Sequence, residues 1–328
     1  MNHNQHSKPW VASDLNAAQS RSTNRLEKQE ADENVRGDKW DQIGLDEMKR
    51  RNHRDLFDQK SSYQKIQILE ANDLRMYLNG QLQFSSLDEK LYHEALVHPA
   101  FAASPAHERV FILGGGDGLA LREVLKYSRV KHADLVDLDP LVLKAAKEVK
   151  SLASLNDYSL RSRRVTVHPM DAQAYLASEP DPYDIIFVDF PDPTGKTISD
   201  LYTTEFYSLL KKSLKPHGVF VCQANSPDET PLVFWTIGKT IESAGFAVTS
   251  YHTTVPSFGD WGFHLASASR KSLSGKKAQV PAKSLPSNLG DLSKFPTYVT
   301  EKKNQGIINT KNKSVLHAIF KKESFYMD

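Results

Sequence analysis

The chain has 328 residues, 39% of them hydrophobic and 25% charged, with a formal charge of +2 at pH 7, so no electrostatic drive towards nucleic acid or an anionic membrane is built in. A single cysteine, Cys222 in "GVFVCQ", excludes an internal disulfide framework and is expected to be a buried apolar filler. No apolar run reaches the roughly 20 residues of a spanning helix or forms the apolar region of a secretory signal, so a cytoplasmic protein without a membrane span is expected.

Residues 1–55 are rich in Asn, Gln, Ser and charged side chains and poor in aliphatics, which predicts a polar, flexible leader with at most one docked helix. Residues 56–100 are expected to form a small β-rich domain and a linking helix. There "YQKIQILE" and "RMYLNGQLQF" alternate as strands do, and Asn79-Gly80 signals a two-residue hairpin turn. In "SSLDEKLYHEALVHPA", Ser86 and Glu89 stand at capping-box spacing before a run of helix formers.

Residues 101–270 alternate strands with helices. "RVFILGG" precedes "LALREVLKY", "HADLVDLD" precedes "PLVLKAAKEVK", "RVTVHP" precedes "AQAYLAS", and "YDIIFVDF" precedes "TTEFYSLLKKSL". After "GVFVCQ" come the helix-like "PLVFWTIGKTIESAG" and the strands "FAVTSYH" and "WGFHLASAS". Such repetition predicts the α/β class, a Rossmann-type, mostly parallel sheet covered on both faces, with ligands beyond the carboxyl ends of its strands. Residues 271–328 form a Lys-, Ser- and Pro-rich extension, of which only "GIINTKNKSVLHAIF" is expected to pack back on the body.

Candidate site residues collect at the strand ends. "GGGDG", with Gly114 and Gly115, is either a sharp corner or a turn that lets a ligand approach the backbone, and Asp117 within it disfavours a phosphate. Asp137, about twenty residues on, suits ribose hydroxyls or is a solvated loop acid. Asp139 reads as a turn or cap residue before Pro140. Asp171 is either a helix N-cap or an acceptor for an exocyclic amine. With Asp189 and Asp192 of "VDFPDPTG", five carboxylates gather at one sheet edge. No His-rich set stands at zinc spacing, and a polycationic substrate accounts for the acids without a metal.

From about Ser62 to Ser269, "YQKIQI", "LYHEALVHPA", "GGGDGLALREVLK", "DLVDLDP", "MDAQAYL", "VDFPDPTG" and "LYTTEFY" together resemble the polyamine aminopropyltransferases, the spermidine and spermine synthases. "VPSFGDWGFHLAS" is most similar to the branch whose bacterial members carry a membrane-embedded N-terminal region, where this chain has a polar leader. The resemblance implies a methyltransferase-like α/β domain joined to an N-terminal β-domain, in a homodimer or higher homo-oligomer. It implies transfer of an aminopropyl group from decarboxylated S-adenosylmethionine, the co-substrate, to an amine such as putrescine or spermidine, without prosthetic group or metal. By motif position Asp189 is the base and Asp192 holds the substrate chain. Gln64, Tyr92 and Asp117 line the aminopropyl side, with His93 also binding substrate; Asp137 binds the ribose and Asp171 the adenine amine, and Gly114, Gly115 and Ala172 also bind the donor.

Physical chemistry supports this assignment. The decarboxylated donor ends in an ammonium, so Asp117 attracts it and repels ordinary S-adenosylmethionine, whose carboxylate faces the same place. An acceptor amine with a pKa near lysine's must lose a proton, at roughly 4.6 kcal/mol at pH 7, and Asp189 can receive it. Three positions depart from the family pattern. Asn225 and Val255 stand where soluble relatives place a Glu and a Tyr against the diamine, and Leu119 replaces a glycine; Asp260, Trp261 or Tyr251 are candidates to compensate. Two other readings stay open, a methyltransferase on the same fold and a nucleoside-binding protein without turnover. The scattered lysines of the extension read as solvated surface, not as a nucleic-acid arm.

Overall fold

A computed structural model describes residues 39–325. Most of the expected polar leader, residues 1–38, lies outside the described residues. The leader's last part forms helix α1 (Lys39–Arg50), whose Leu45 and Met48 pack on Leu69 and Tyr77. Strands β1 (Arg54–Lys60), β2 (Lys65–Glu70), β3 (Leu74–Leu78) and β4 (Gln81–Ser85) form an antiparallel sheet in chain order. Asn79 and Gly80 join β3 to β4 with φ of 50° and 84°. Both lie in the left-handed region that a tight hairpin needs, and only Asn and Gly adopt it cheaply.

Helix α2 (Glu89–Ala103) follows, but the expected capping box does not form. Ser86 Oγ instead accepts from Leu74 N at 2.9 Å, and the Glu89 carboxylate receives two 2.8 Å hydrogen bonds from Arg122. A full charge on a neighbouring helix is a stronger partner than a local N–H, so tertiary contact overrides the sequence signature. Nor is α2 merely a link: it is buried along nearly its whole length and packs on the strands of the second sheet.

That sheet contains β5 (Arg109–Gly114), β6 (His132–Asp137), β7 (Val165–Pro169), β8 (Tyr183–Asp189), β9 (Leu214–Gln223), β10 (Ala247–Val255) and β11 (Gly259–Ser267) in the order β10-β11-β9-β8-β5-β6-β7. The run from β9 to β7 is parallel, while β11 is antiparallel to both its neighbours. Val110 and Ile112 of β5 enter one apolar layer and Phe111 and Leu113 the other, as do Ile185 and Phe187 against Ile186 and Val188 in β8. Burial on both faces explains why these strands read as unbroken apolar runs.

Between the strands lie α3 (Leu119–Leu125), α4 (Pro140–Glu148), α5 (Ala172–Ala177), α6 (Lys196–Ser199), α7 (Thr204–Lys212) and α8 (Pro231–Ser243). Cys222 is buried, as expected of an apolar filler. The C-terminal extension docks more fully than expected. Leu273, Leu289, Leu292 and Val299 are buried as well as Leu316, the first residue of helix α9 (Leu316–Phe325). Each short segment contributes only one or two apolar anchors, too sparse a pattern to register as periodicity.

Candidate active site

The parallel strands end on one edge, where chain order and spatial order part company. Along that edge lie Asp171 after β7, Asp137 ending β6, the Gly114–Asp117 turn after β5, Asp189 ending β8, and Gln223 ending β9. Five strands at about 4.8 Å spacing span roughly 19 Å. β5 and β8 carry connections leaving in opposite directions along the sheet, the topological switch at which open α/β sheets bind ligands.

The eleven residues to which the resemblance gives catalytic or binding roles line one cavity of about 780 Å³: Gln64, Tyr92, His93, Gly114, Gly115, Asp117, Asp137, Asp171, Ala172, Asp189 and Asp192. The turn approaches β8 closely. A Cβ at Gly114 would lie 2.1 Å from the Asp189 carbonyl oxygen, and one at Gly116 would lie 2.5 Å from Asp137 Oδ2. Glycine is therefore required here by contact, and at Gly114 also by a φ of 83°.

Each acid is set by its neighbours. Asp189 Oδ1 accepts from the Tyr92 hydroxyl at 2.5 Å. Burial pushes the Asp189 carboxyl up to about 6, opposed by the charge of His93 and the Tyr92 bond. Burial likewise raises Asp137 to about 6 although it accepts from Gly116 N at 3.0 Å and Asp139 N at 2.9 Å. One bond to each oxygen leaves lone pairs for further donors, such as vicinal hydroxyls. Asp117 accepts from Leu119 N at 2.8 Å, and burial raises its pKa too, against the pull of His93. Asp171 caps α5 through a 2.9 Å bond from Ala174 N while also facing the cavity.

Behind these groups runs a buried charged ladder. His93 Nδ1 lies 3.0 Å from Glu89 Oε2; burial pushes its pKa down, but the Glu89 bond and charge leave it raised. Burial also opposes the charge of Glu89, yet bonds from His93 and Arg122 hold its carboxyl down at about 2. Arg122 continues to Glu123 at 2.9 Å, and Glu123 to His98 at 3.0 Å. Glu94, His98 and Glu123 bring ligand atoms within 4.8 Å of one another outside the cavity. Each has protein partners: Glu94 accepts from Ser284 N at 2.8 Å, His98 meets the Tyr127 hydroxyl at 3.0 Å, and Lys126 Nζ lies 2.5 Å from Glu123.

The small sheet is fastened to this edge by Asp139. It caps α4 through Leu141 N at 2.9 Å and accepts from Ser61 Oγ at 2.7 Å and Gln64 Nε2 at 3.0 Å. Sequence spacing gave only its cap role, because the other partners lie more than seventy residues away.

The acceptor positions divide. Asn225 lines the cavity, but its Oδ1 is engaged by Ser226 N at 2.7 Å and Thr230 Oγ1 at 2.5 Å in a turn where Asn225 has φ of 64°. Val255 is buried away from it. Of the candidates to compensate, Trp261 lines the cavity. Tyr251 instead donates to Ala95 O at 2.9 Å, and Asp260 contacts His252 at 2.7 Å. Sequence reasoning missed Glu229, Phe258, Phe320 and Ser324, which also line the cavity. Tyr92, Phe258 and Trp261 form an aromatic wall, with ring centroids 6.1 and 6.3 Å from Tyr92.

Comparison with known proteins agrees with this geometry. The spermine/spermidine synthase domain matches residues 89–277. Polyamine aminopropyltransferase 2 of Bacillus cereus is 49% identical over 290 residues, 87% of this chain and 79% of that protein. The polyamine aminopropyltransferase of Oceanobacillus iheyensis is 50% identical over 210 residues, 64% of this chain and 41% of that protein. Spermidine synthase from Thermotoga maritima superimposes with a TM-score of 0.68 at 26% identity, covering 77% of this chain and 88% of that one. A spermidine synthase in complex with the transition state analogue AdoDATO gives 0.69 at 26% identity, with 77% and 89% covered. Among the described residues no helix is long and apolar enough to cross a membrane. Matched by the family model over residues 89–277 and by a relative over most of its length, this chain belongs to the spermine/spermidine synthase family of transferases.

Proposed function

We propose that this chain moves the aminopropyl group of decarboxylated S-adenosylmethionine to a di- or polyamine, with putrescine, giving spermidine, as the first acceptor to test. The observation that carries this reading is the row of carboxylates Asp171, Asp137, Asp117, Asp189 and Asp192 lining one cavity in the spatial order of the sheet. Both reactants are cations, and a row of acids favours both.

In this reading the adenine lies by Asp171 and Ala172, the ribose hydroxyls donate to Asp137, and the aminopropyl ammonium meets Asp117. Gly114 and Gly115 let the sulfonium approach the β5 turn. The acceptor enters between Asp189 and Asp192, beside Tyr92 and the Phe258–Trp261 wall, with Gln64 and His93 completing the chamber. Its ammonium gives a proton to Asp189, whose carboxyl at about 6 is still ionised at neutral pH yet basic enough to take it. The freed nitrogen attacks the methylene bound to sulfur. The carbon–nitrogen bond forms as the carbon–sulfur bond breaks, and that bond's electron pair stays on sulfur, leaving neutral methylthioadenosine. A neutral leaving group needs no general acid, so the remaining contribution is alignment of nitrogen, carbon and sulfur in a confined space.

The direct test is incubation of the chain with decarboxylated S-adenosylmethionine and a panel of di- and triamines, products being read by mass spectrometry. An aminopropylated amine together with methylthioadenosine is expected. Absence of product with every amine removes the proposal, and a methylated product from ordinary S-adenosylmethionine replaces it with a methyltransferase.

A further inference from the structure

Asp189 and Asp192 are held in different ways. Asp189 still belongs to the sheet, opposite Gly114 of β5, and takes the Tyr92 bond. The chain then leaves the ladder, since β8 ends at Asp189. The two carbonyls between the acids find partners behind the cavity. Phe190 O accepts from Gln223 Nε2 at 2.5 Å, and Pro191 O accepts from the Tyr202 hydroxyl at 3.0 Å. Gln223 Nε2 also donates to that hydroxyl at 2.8 Å. Tyr202 and Gln223 are buried, and the Phe190 ring meets those of Tyr202 and Phe206 at 6.3 and 5.6 Å between centroids. A buried acceptor deprived of its donor is costly, so these donors decide the path of the chain from Asp189 to Asp192.

Tyr202 is fixed in turn by the C-terminal extension, which lies beyond residues 89–277 of the family match. Asn309 is fully buried and every one of its polar groups is engaged. Its Nδ2 donates to Ser199 O at 2.9 Å and Tyr202 O at 3.1 Å, and its backbone O accepts from Thr204 N at 3.0 Å. Its backbone N donates to Thr240 Oγ1 of α8 at 3.0 Å, and its Oδ1 accepts from Val315 N at 2.9 Å and Leu316 N at 3.3 Å at the start of α9. From the side of Asp171 and Ala172, Gln173 Nε2 reaches Asp200 O at 3.3 Å in the same stretch. A second anchor of the extension lies elsewhere: the Glu323 carboxylate accepts from Leu232 N and Val233 N, both at 3.0 Å, at the N-terminus of α8.

We infer that Tyr202 and Asn309 are positioning residues for Asp192: through them the extension sets how far Asp192 stands from Asp189, and so the grip on the acceptor amine. The inference rests on the aminopropyl-transfer reading. Neither residue lines the cavity, although Phe190, Pro191 and Gln223 do. With the strut cut, Asp189 keeps its place in the sheet and its Tyr92 bond, and the Gln173 bond still holds the nucleoside side. The defect falls on holding the amine.

The test is steady-state kinetics of the full chain, Tyr202→Phe, Asn309→Ser, the double variant and Glu323→Ala with putrescine as acceptor, alongside the donor KM and the thermal midpoint of each protein. Tyr202→Phe and Asn309→Ser are each expected to raise the amine KM about tenfold, the upper range for one hydrogen bond's net contribution, with the donor KM unchanged. The double variant is expected to go no further than the worse single, because the two residues act in series on one segment. Loss of folded protein lowers the rate without moving KM, so KM separates positioning from stability. Glu323→Ala, which removes an anchor of the extension but no bond to the 199–204 stretch, is expected to lower the midpoint and leave the amine KM alone. A parental amine KM in both folded single variants, a rise that multiplies in the double variant, or an equal rise in Glu323→Ala overturns the inference while the parent's turnover upholds the reaction. Should Asn309→Ser not fold, Tyr202→Phe, which lacks only a hydroxyl, decides alone. If the parent turns over no amine, the reaction assignment falls. Calorimetric affinity for putrescine in the presence of methylthioadenosine then decides the strut: weaker binding in the variants upholds it, and equal binding, or none by the parent, overturns it.

Discussion

The Tyr92 hydroxyl donates a 2.5 Å hydrogen bond to Asp189 Oδ1, joining helix α2 to the end of β8 across 97 residues of sequence. The bond stabilises the carboxylate against the burial that raises its pKa, so Tyr92 is a positioning residue for the proposed base. Tyr92→Phe is expected to move the acidic limb of the pH–kcat/KM profile, placed near 6 in the parent by Asp189, to higher pH. Aminopropyl transfer at pH 7 falls about tenfold, while Asp189→Asn loses at least a hundredfold with donor binding retained, within the range for general-base catalysis. Near-parental turnover in Asp189→Asn would remove it from the base role.

Asp117 gives a second expectation, concerning selection. In Asp117→Asn the preference for decarboxylated over ordinary S-adenosylmethionine shrinks, because the repulsion of the substrate carboxylate disappears together with the attraction for the ammonium. Calorimetric titration of both nucleosides measures this. Equal loss of affinity for the two would refute sorting by charge.

Asp139 holds the small sheet to the carboxyl-end edge of the parallel strands. Asp139→Ala removes an N-cap and the one oxygen, Oδ2, that accepts from both Ser61 and Gln64, with an expected loss of about 1–2 kcal/mol from the cap. Urea denaturation reads the stability, and the amine KM is expected to rise because Gln64 loses its anchor. A parental midpoint and KM would show that the bridge is idle.

The acids divide in their effect on stability against pH. Glu89 and Glu123, held down at about 2 against the opposing effect of burial by their basic partners, contribute stability that is present above about 4.5 and lost as pH falls through about 2. Asp137 and Asp189, raised to about 6, act in the reverse sense: their contribution is present below about 3.9 and lost as pH rises through about 6. Asp189→Asn is therefore expected to be more stable than the parent at pH 8, on the order of 2 kcal/mol, with the gap closing below pH 4. A gap that persists at pH 4 would contradict the raised pKa.

The sequence by itself determined the alternation of strands and helices and the Asn79-Gly80 turn, and its short motifs singled out eleven residues that come to line the cavity, because these depend on local periodicity, on φ preferences and on short contiguous motifs. It did not determine which motif stands beside which. Asp189 comes after Asp171 in the chain yet lies across the cavity from it, since β8 pairs with β5 and not with β7. Only the folded chain decided that Glu89 serves Arg122 instead of a helix cap, that Asn225 is engaged by its own turn, and that Val255 faces the core. The extension was the least legible part, for Glu323 acquires its role only from backbone N–H groups about ninety residues away. Long-range partners leave no period in the sequence, and the energy that fixes them, burial and charge pairing, is settled only when distant segments meet.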